Sequence, residues 1–148
     1  MKSIMICILL LSAGKGCEQD HQLPLSGATS QAWSGGAAGS GRGINYIIYL
    51  NMKNTSDYTF DSLWVQEKRL PVAIDERRSA GDTLVLTVTD MTQNIRNIDD
   101  MNNASKEVLP VPFPVKADVA GILGYHYKGK QKYLLIGSWT KLKSLYYP

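Results

Sequence analysis

Apolar and polar residues alternate along much of the chain after residue 43, the period of a β-strand with one buried face. Ile44, Tyr46, Ile48, Leu50 and Met52 fall on one side of such a strand, with Asn45, Ile47, Tyr49, Asn51 and Lys53 on the other. Asn54-Thr55-Ser56-Asp57 supplies turn chemistry, and a second strand is predicted from Tyr58 to Gln66, with Pro71 after it marking an edge or a strand end. Ala80-Gly81-Asp82 makes the next turn, and Thr83 to Thr89 is the clearest strand. Its Leu84, Leu86 and Val88 oppose Thr83, Val85, Thr87 and Thr89, so it predicts a sheet with one apolar face and one wet face. Val115 to Ala120 alternates again. Leu123 to Tyr127 and Tyr133 to Gly137 flank a hairpin loop at Lys128-Gly129-Lys130-Gln131, and Leu142, Leu145, Tyr146 and Tyr147 read as a last edge strand stopped by Pro148.

Two stretches break this rhythm. Between Thr92 and Pro114, Ile95, Ile98 and Met101 recur at three-residue spacing and predict one or two helical turns, which the surrounding asparagines disfavour. Pro110, Pro112 and Pro114, alternating with Val111 and Phe113, impose an extended polyproline-like segment that has no place in a central strand. From residue 17 to residue 43 the chain is dominated by Gly, Ser and Ala, too poor in apolar area to offset the entropy of ordering it. It is predicted to be a flexible tether spanning roughly 25 to 30 Å. Trp33 is the odd residue there, read as docking on the domain or at a membrane interface. About six short strands in the single domain 44–148 predict an all-β fold, a small antiparallel β-sandwich or a partly open barrel, with an immunoglobulin-like arrangement among its forms.

The first residues have a different character. Lys2 precedes Ile4-Met5-Ile6-Cys7-Ile8-Leu9-Leu10-Leu11, an apolar run of 8 residues. A bilayer-spanning helix needs about 20, so residues 1–16 are predicted to be a signal peptide. Small residues then lead to Cys17. The pattern Ser12-Ala13-Gly14-Lys15-Gly16-Cys17 resembles the lipobox of bacterial lipoproteins, with Lys15 and the distance from Leu11 as departures. The resemblance implies cleavage before Cys17 and acylation of its thiol, and each buried methylene of the acyl chains contributes about 0.8 kcal/mol to membrane binding. Cys7, the only other cysteine, leaves with the leader. Glu18 and Asp20 just after Cys17 resemble the acidic signal for display on the outer face of the outer membrane in small Bacteroides-type lipoproteins. The chain as a whole resembles these proteins in composition. The expected location is therefore the outer membrane, surface-exposed or periplasm-facing, with plain secretion as the alternative.

Charge narrows the function. Lys2 and Lys15 lie in the acid-free leader, which leaves 14 basic and 13 acidic residues in the remainder, no footprint for a nucleic acid. Only His21 and His126 could serve as imidazoles, too few for a triad or a His-rich metal site. Asp75-Glu76 and Asp99-Asp100 have no opposing carboxylates, and Asp99-Asp100-Met101-Asn102-Asn103 lacks the glycine and distal acid of a calcium loop. Neither a catalytic residue, a metal nor a cofactor is expected.

Aromatic residues are in surplus: Trp33, Trp64 and Trp139 with eight tyrosines against two phenylalanines. Such rings fill cores, and they also stack on sugars and anchor interfaces. Trp33, Trp64, Trp139, Tyr146 and Tyr147 are the candidate contacts. The expected function is a non-enzymatic, lipid-anchored envelope protein that binds or scaffolds a protein partner, with a surface-displayed carbohydrate-binding module as the alternative.

Overall fold

A computed structural model describes residues 22–36, 41–92 and 110–148. Its strands are β1 (Leu25–Gly35), β2 (Arg42–Asn51), β3 (Tyr58–Val65), β4 (Lys68–Pro71), β5 (Ala73–Ile74), β6 (Thr83–Thr92), β7 (Gly121–Tyr127), β8 (Lys130–Ile136), β9 (Thr140–Lys141) and β10 (Leu145–Tyr147). One sheet runs β10, β1, β2, β6, β5, with β9 also beside β1, and the other runs β4, β3, β7, β8. Among the described residues β9 and β10 pair in parallel, both with β1, and the other pairings are antiparallel. The fold is all-β and sandwich-like, two separate sheets rather than a closed barrel.

Alternation explains the core. Tyr46, Ile48 and Leu50 of β2 and Leu84, Leu86 and Val88 of β6 meet Leu63 and Val65 of β3, Leu123 and Tyr125 of β7, and Ile136 of β8. Ile44 and Met52 complete the predicted apolar side of β2. The predicted turns also form: the side chain of Asn54 accepts the backbone N–H of Ser56 at 2.9 Å, and Lys128 and Gly129 take φ of 49° and 78° between β7 and β8.

Three expectations are corrected. The segment 17–43 is not a tether throughout: Leu25–Gly35 is β1, paired with β2 from Leu25↔Leu50 to Ser34↔Arg42, and Leu23 before it is in the core. The backbone ladder orders this stretch in spite of its small side chains, so the domain begins by residue 22 instead of 44. Val115 to Ala120 forms no strand; odd positions from Val111 to Val119 are half-buried and the even ones between them exposed, the mark of an extended strap without a ladder. The strands number ten among the described residues, because β4, β5 and β9 are too short to show a period. The helical turns expected at Ile95 to Met101 and the leader with Cys17 lie outside the described residues.

At one end the core turns polar. Asp90, at the end of β6, accepts two hydrogen bonds from Lys68 Nζ of β4, at 2.9 Å to Oδ1 and 2.7 Å to Oδ2, so the pair joins the two sheets. Tyr46 sits nearby, 2 % exposed, and its hydroxyl finds no hydrogen-bond partner among the described residues. Burial first, and the Asp90 charge second, push its phenol above the ordinary value of 10.0. The folded state thus holds the Tyr46 proton more tightly than the unfolded chain does. That contribution is fully present below pH 10 and is lost as pH rises through the raised value. Tyr46→Phe removes both the orphaned hydroxyl and this titration. It is expected to stabilise the protein by about 1 kcal/mol at pH 7 and to flatten its alkaline unfolding limb, as read by urea melts at pH 7 and 11.

Candidate binding surface

The five aromatic candidates fall into two groups. Trp64 is buried on the face of its sheet turned away from the core, under the guanidinium of Arg69 at 5.0 Å and edge-on to Tyr133 at 6.1 Å. Trp139 is half-buried against the core. Its ring lies 4.9 Å from that of Tyr46, and its indole N–H donates to the Ala120 carbonyl at 3.1 Å. Both lie flat on β7, where a side chain at Gly124 or Gly121 would meet the ring at 2.7 or 2.9 Å. Their surfaces are spent inside the fold, so neither is an open contact.

Trp33, Tyr146 and Tyr147 do come together. β10 runs beside β1 in the register Trp33↔Leu145, Ser34↔Tyr146 and Gly35↔Tyr147. Trp33 packs edge-on to Tyr147 at 6.4 Å and 69° and covers Gly43, whose Cα leaves 2.9 Å between a built β-carbon and the indole nitrogen. That nitrogen has no hydrogen-bond partner among the described residues. Tyr146 is 80 % exposed and Tyr147 52 %, and Leu142 and Leu145 beside them are also exposed. A hollow of about 330 Å³ opens between Trp33, Arg42, Ile44, Leu145 and Tyr146. Arg42, Lys141 and Lys143 flank this edge, and none makes an ion pair among the described residues.

Sequence reasoning missed the contribution of β1. Gln31 and Trp33 belong to the wet face of a sheet whose other members, Asn45, Thr87 and Thr89, were legible from alternation in β2 and β6. The signal that could have placed them is weak: Thr29, Gln31 and Trp33 alternate with Ala28, Ser30 and Ala32, whose small side chains mask the apolar side.

The described residues contain no group of three His, Cys, Asp or Glu side chains placed to hold a metal ion. The chemistry on offer at the surface is aromatic, amide and cationic, suited to holding a ligand. No protein-family model matches this sequence, and neither a curated protein nor a solved structure matches it.

Proposed function

We propose that this chain is a non-enzymatic, lipid-anchored domain of the bacterial cell envelope that docks a protein partner through the edge formed by β10. The observation that carries the reading is the exposed run Leu142, Leu145, Tyr146 and Tyr147, backed by Trp33 and bordered by cations. Rigid aromatic area with a charged rim is the composition of a protein-binding hot spot, and the basic border selects an acidic partner surface.

The geometry of anchoring supports the same reading. Four residues lie between Cys17 and Gln22, a reach of no more than about 18 Å, so a lipid on Cys17 would hold the segment leading into β1 near the headgroups. Trp33 lies eight residues along β1 from Leu25, about 27 Å further on. That length of strand is enough for the aromatic edge to stand clear of the headgroups, within reach of a partner protein.

Two measurements test this. Labelling with a palmitate analogue is expected to mark the wild type and not Cys17→Ala, which moves wholly to the soluble fraction; an unlabelled wild type overturns the anchor. A photo-crosslinking residue substituted for Tyr146 in the anchored chain is expected to give a discrete protein adduct, and one substituted for Asp82, at the opposite end of the sheet, is not. Adducts at 82 and none at 146 would overturn the docking edge.

A further inference from the structure

The wet face of the larger sheet is not flat. The turn after β5 raises Asp75 and Arg78 along one side and β10 raises Tyr147 along the other, enclosing a hollow of about 190 Å³ over Gln31, Asn45, Thr87 and Thr89. That is below the ~300 Å³ where pockets for drug-sized molecules begin, and it suits a single small ring.

Its charges cancel internally. Asp75 Oδ1 accepts the backbone N–H groups of Arg77 and Arg78, both at 3.1 Å, and Oδ2 faces Arg78 Nε at 3.4 Å. What remains is a neutral bed of donors and acceptors. Thr89 Oγ1 donates to Asn45 Oδ1 at 3.1 Å, which leaves the Asn45 amide hydrogens to be offered to a ligand. Gln31 Nε2 donates to the Lys143 carbonyl at 2.8 Å, which leaves the Gln31 oxygen as an acceptor. Adjacent hydroxyls on a ring, each both donor and acceptor, match a donor amide beside an acceptor amide. The half-exposed ring of Tyr147, held by Trp33, offers the apolar surface on which the C–H face of a sugar packs.

We infer that this hollow binds one uncharged sugar ring, with Asn45 and Gln31 reading neighbouring hydroxyls and Tyr147 stacking on the ring. The inference goes beyond the protein-docking edge: the hollow shares Leu145 and Tyr147 with that edge, but Gln31 and Asn45, which read the ligand, lie on the sheet face outside it.

The test is titration of the full chain with glucose, galactose and N-acetylglucosamine and their short oligomers, followed by calorimetry and by the side-chain amide signals of Gln31 and Asn45 in nuclear magnetic resonance spectra. At least one sugar is expected to bind saturably and to move both amide signals. Gln31→Ala and Asn45→Ala are each expected to weaken binding about tenfold, the loss of one good hydrogen bond. Tyr147→Ala abolishes binding, Tyr147→Phe keeps it, and Lys116→Ala, on the exposed strap away from the hollow, leaves it unchanged. Absence of saturable binding, binding that leaves the two amide signals unmoved in the wild type, or preference for a uronic acid or a peptide over every neutral sugar overturns the assignment. The amide readout in the wild type decides the matter even if a variant fails to fold.

Discussion

Trp64→Ala is expected to lower the stability of the domain by about 3 to 5 kcal/mol, the range for losing a buried indole and leaving a cavity. The ring is 7 % exposed, lies on Gly124 and is capped by Arg69. Arg69 is itself held, with Nε donating to Ser62 Oγ at 2.9 Å and Nη2 to Asp61 Oδ2 at 3.1 Å, so the lid cannot collapse freely into the void. The companion change is sharper because its sign reverses. Gly124→Ala puts a methyl group 2.7 Å from Cζ3 of Trp64 and is expected to cost about 1 to 3 kcal/mol in the wild type. In the Trp64→Ala background the clash is gone, and the same change is expected to be neutral or favourable by about 0.5 kcal/mol, since alanine outperforms glycine inside a strand. Urea denaturation of the four proteins measures the coupling. A cost for Gly124→Ala that is equal in both backgrounds would show that the ring does not rest on the strand. Neither change touches the β10 edge, so binding there is expected to persist in whatever fraction stays folded.

The fates of the three tryptophans show where reading from the sequence stops. Alternation in β2 and β6 was legible because each strand has one dry face, and Tyr46, Ile48 and Leu50 announce it without help from the rest of the chain. The packing of Trp64 and Trp139 depends on Gly124 and Gly121, sixty residues or a whole hairpin away in the sequence, and no local period reports a bare backbone under a ring. β1 was illegible for a related reason. Its inward positions Ala28 and Ser30 are small beside Tyr46, whose ring packs tilted against Trp139 at 4.9 Å, so the apolar volume there comes from other elements. Composition then favoured a tether where the hydrogen-bond ladder makes a strand.

Turns and extended segments divide the same way. Gly129 advertised the β7–β8 turn. Gln66 and Glu67 make an equally tight turn between β3 and β4 with φ of 48° and 60°, a conformation their side chains do not favour and their letters do not suggest. Between Val111 and Val119 the period of two is real, yet it belongs to a proline-stiffened strap, since an extended chain alternates its faces whether or not a neighbour pairs with it. Of the candidate surface, Tyr146 and Tyr147 were legible as an exposed edge. Their meeting with Trp33, more than a hundred residues earlier, needed the parallel pairing of β10 with β1.

That surface rests on the polar end of the core, and Lys68→Met is expected to reveal how firmly. Ile44, which borders the aromatic hollow, pairs with Asp90, and among the described residues the Asp90 carboxylate is tied across the sandwich through Lys68. The two partners are unequally placed: the Asp90 side chain is 11 % exposed and that of Lys68 43 %. Removing the lysine strands a carboxylate that has little access to water. A fully buried pair broken this way costs about 3 to 5 kcal/mol, and the half-exposed position of Lys68 reduces the expected figure to about 2 kcal/mol. Asp90→Asn instead frees a lysine whose ammonium swings into solvent, and is expected to cost less than about 1 kcal/mol. The double variant Lys68→Met, Asp90→Leu replaces ions by apolar volume and is expected to return to within about 1 kcal/mol of the wild type. Hydrogen exchange should locate the loss in Lys68→Met at the end of β6 and the facing start of β2, with β7 and β8 protected as before. Equal costs for the two single variants would mean that water already reaches Asp90, and that the aromatic edge owes its shape to the β1–β10 pairing alone.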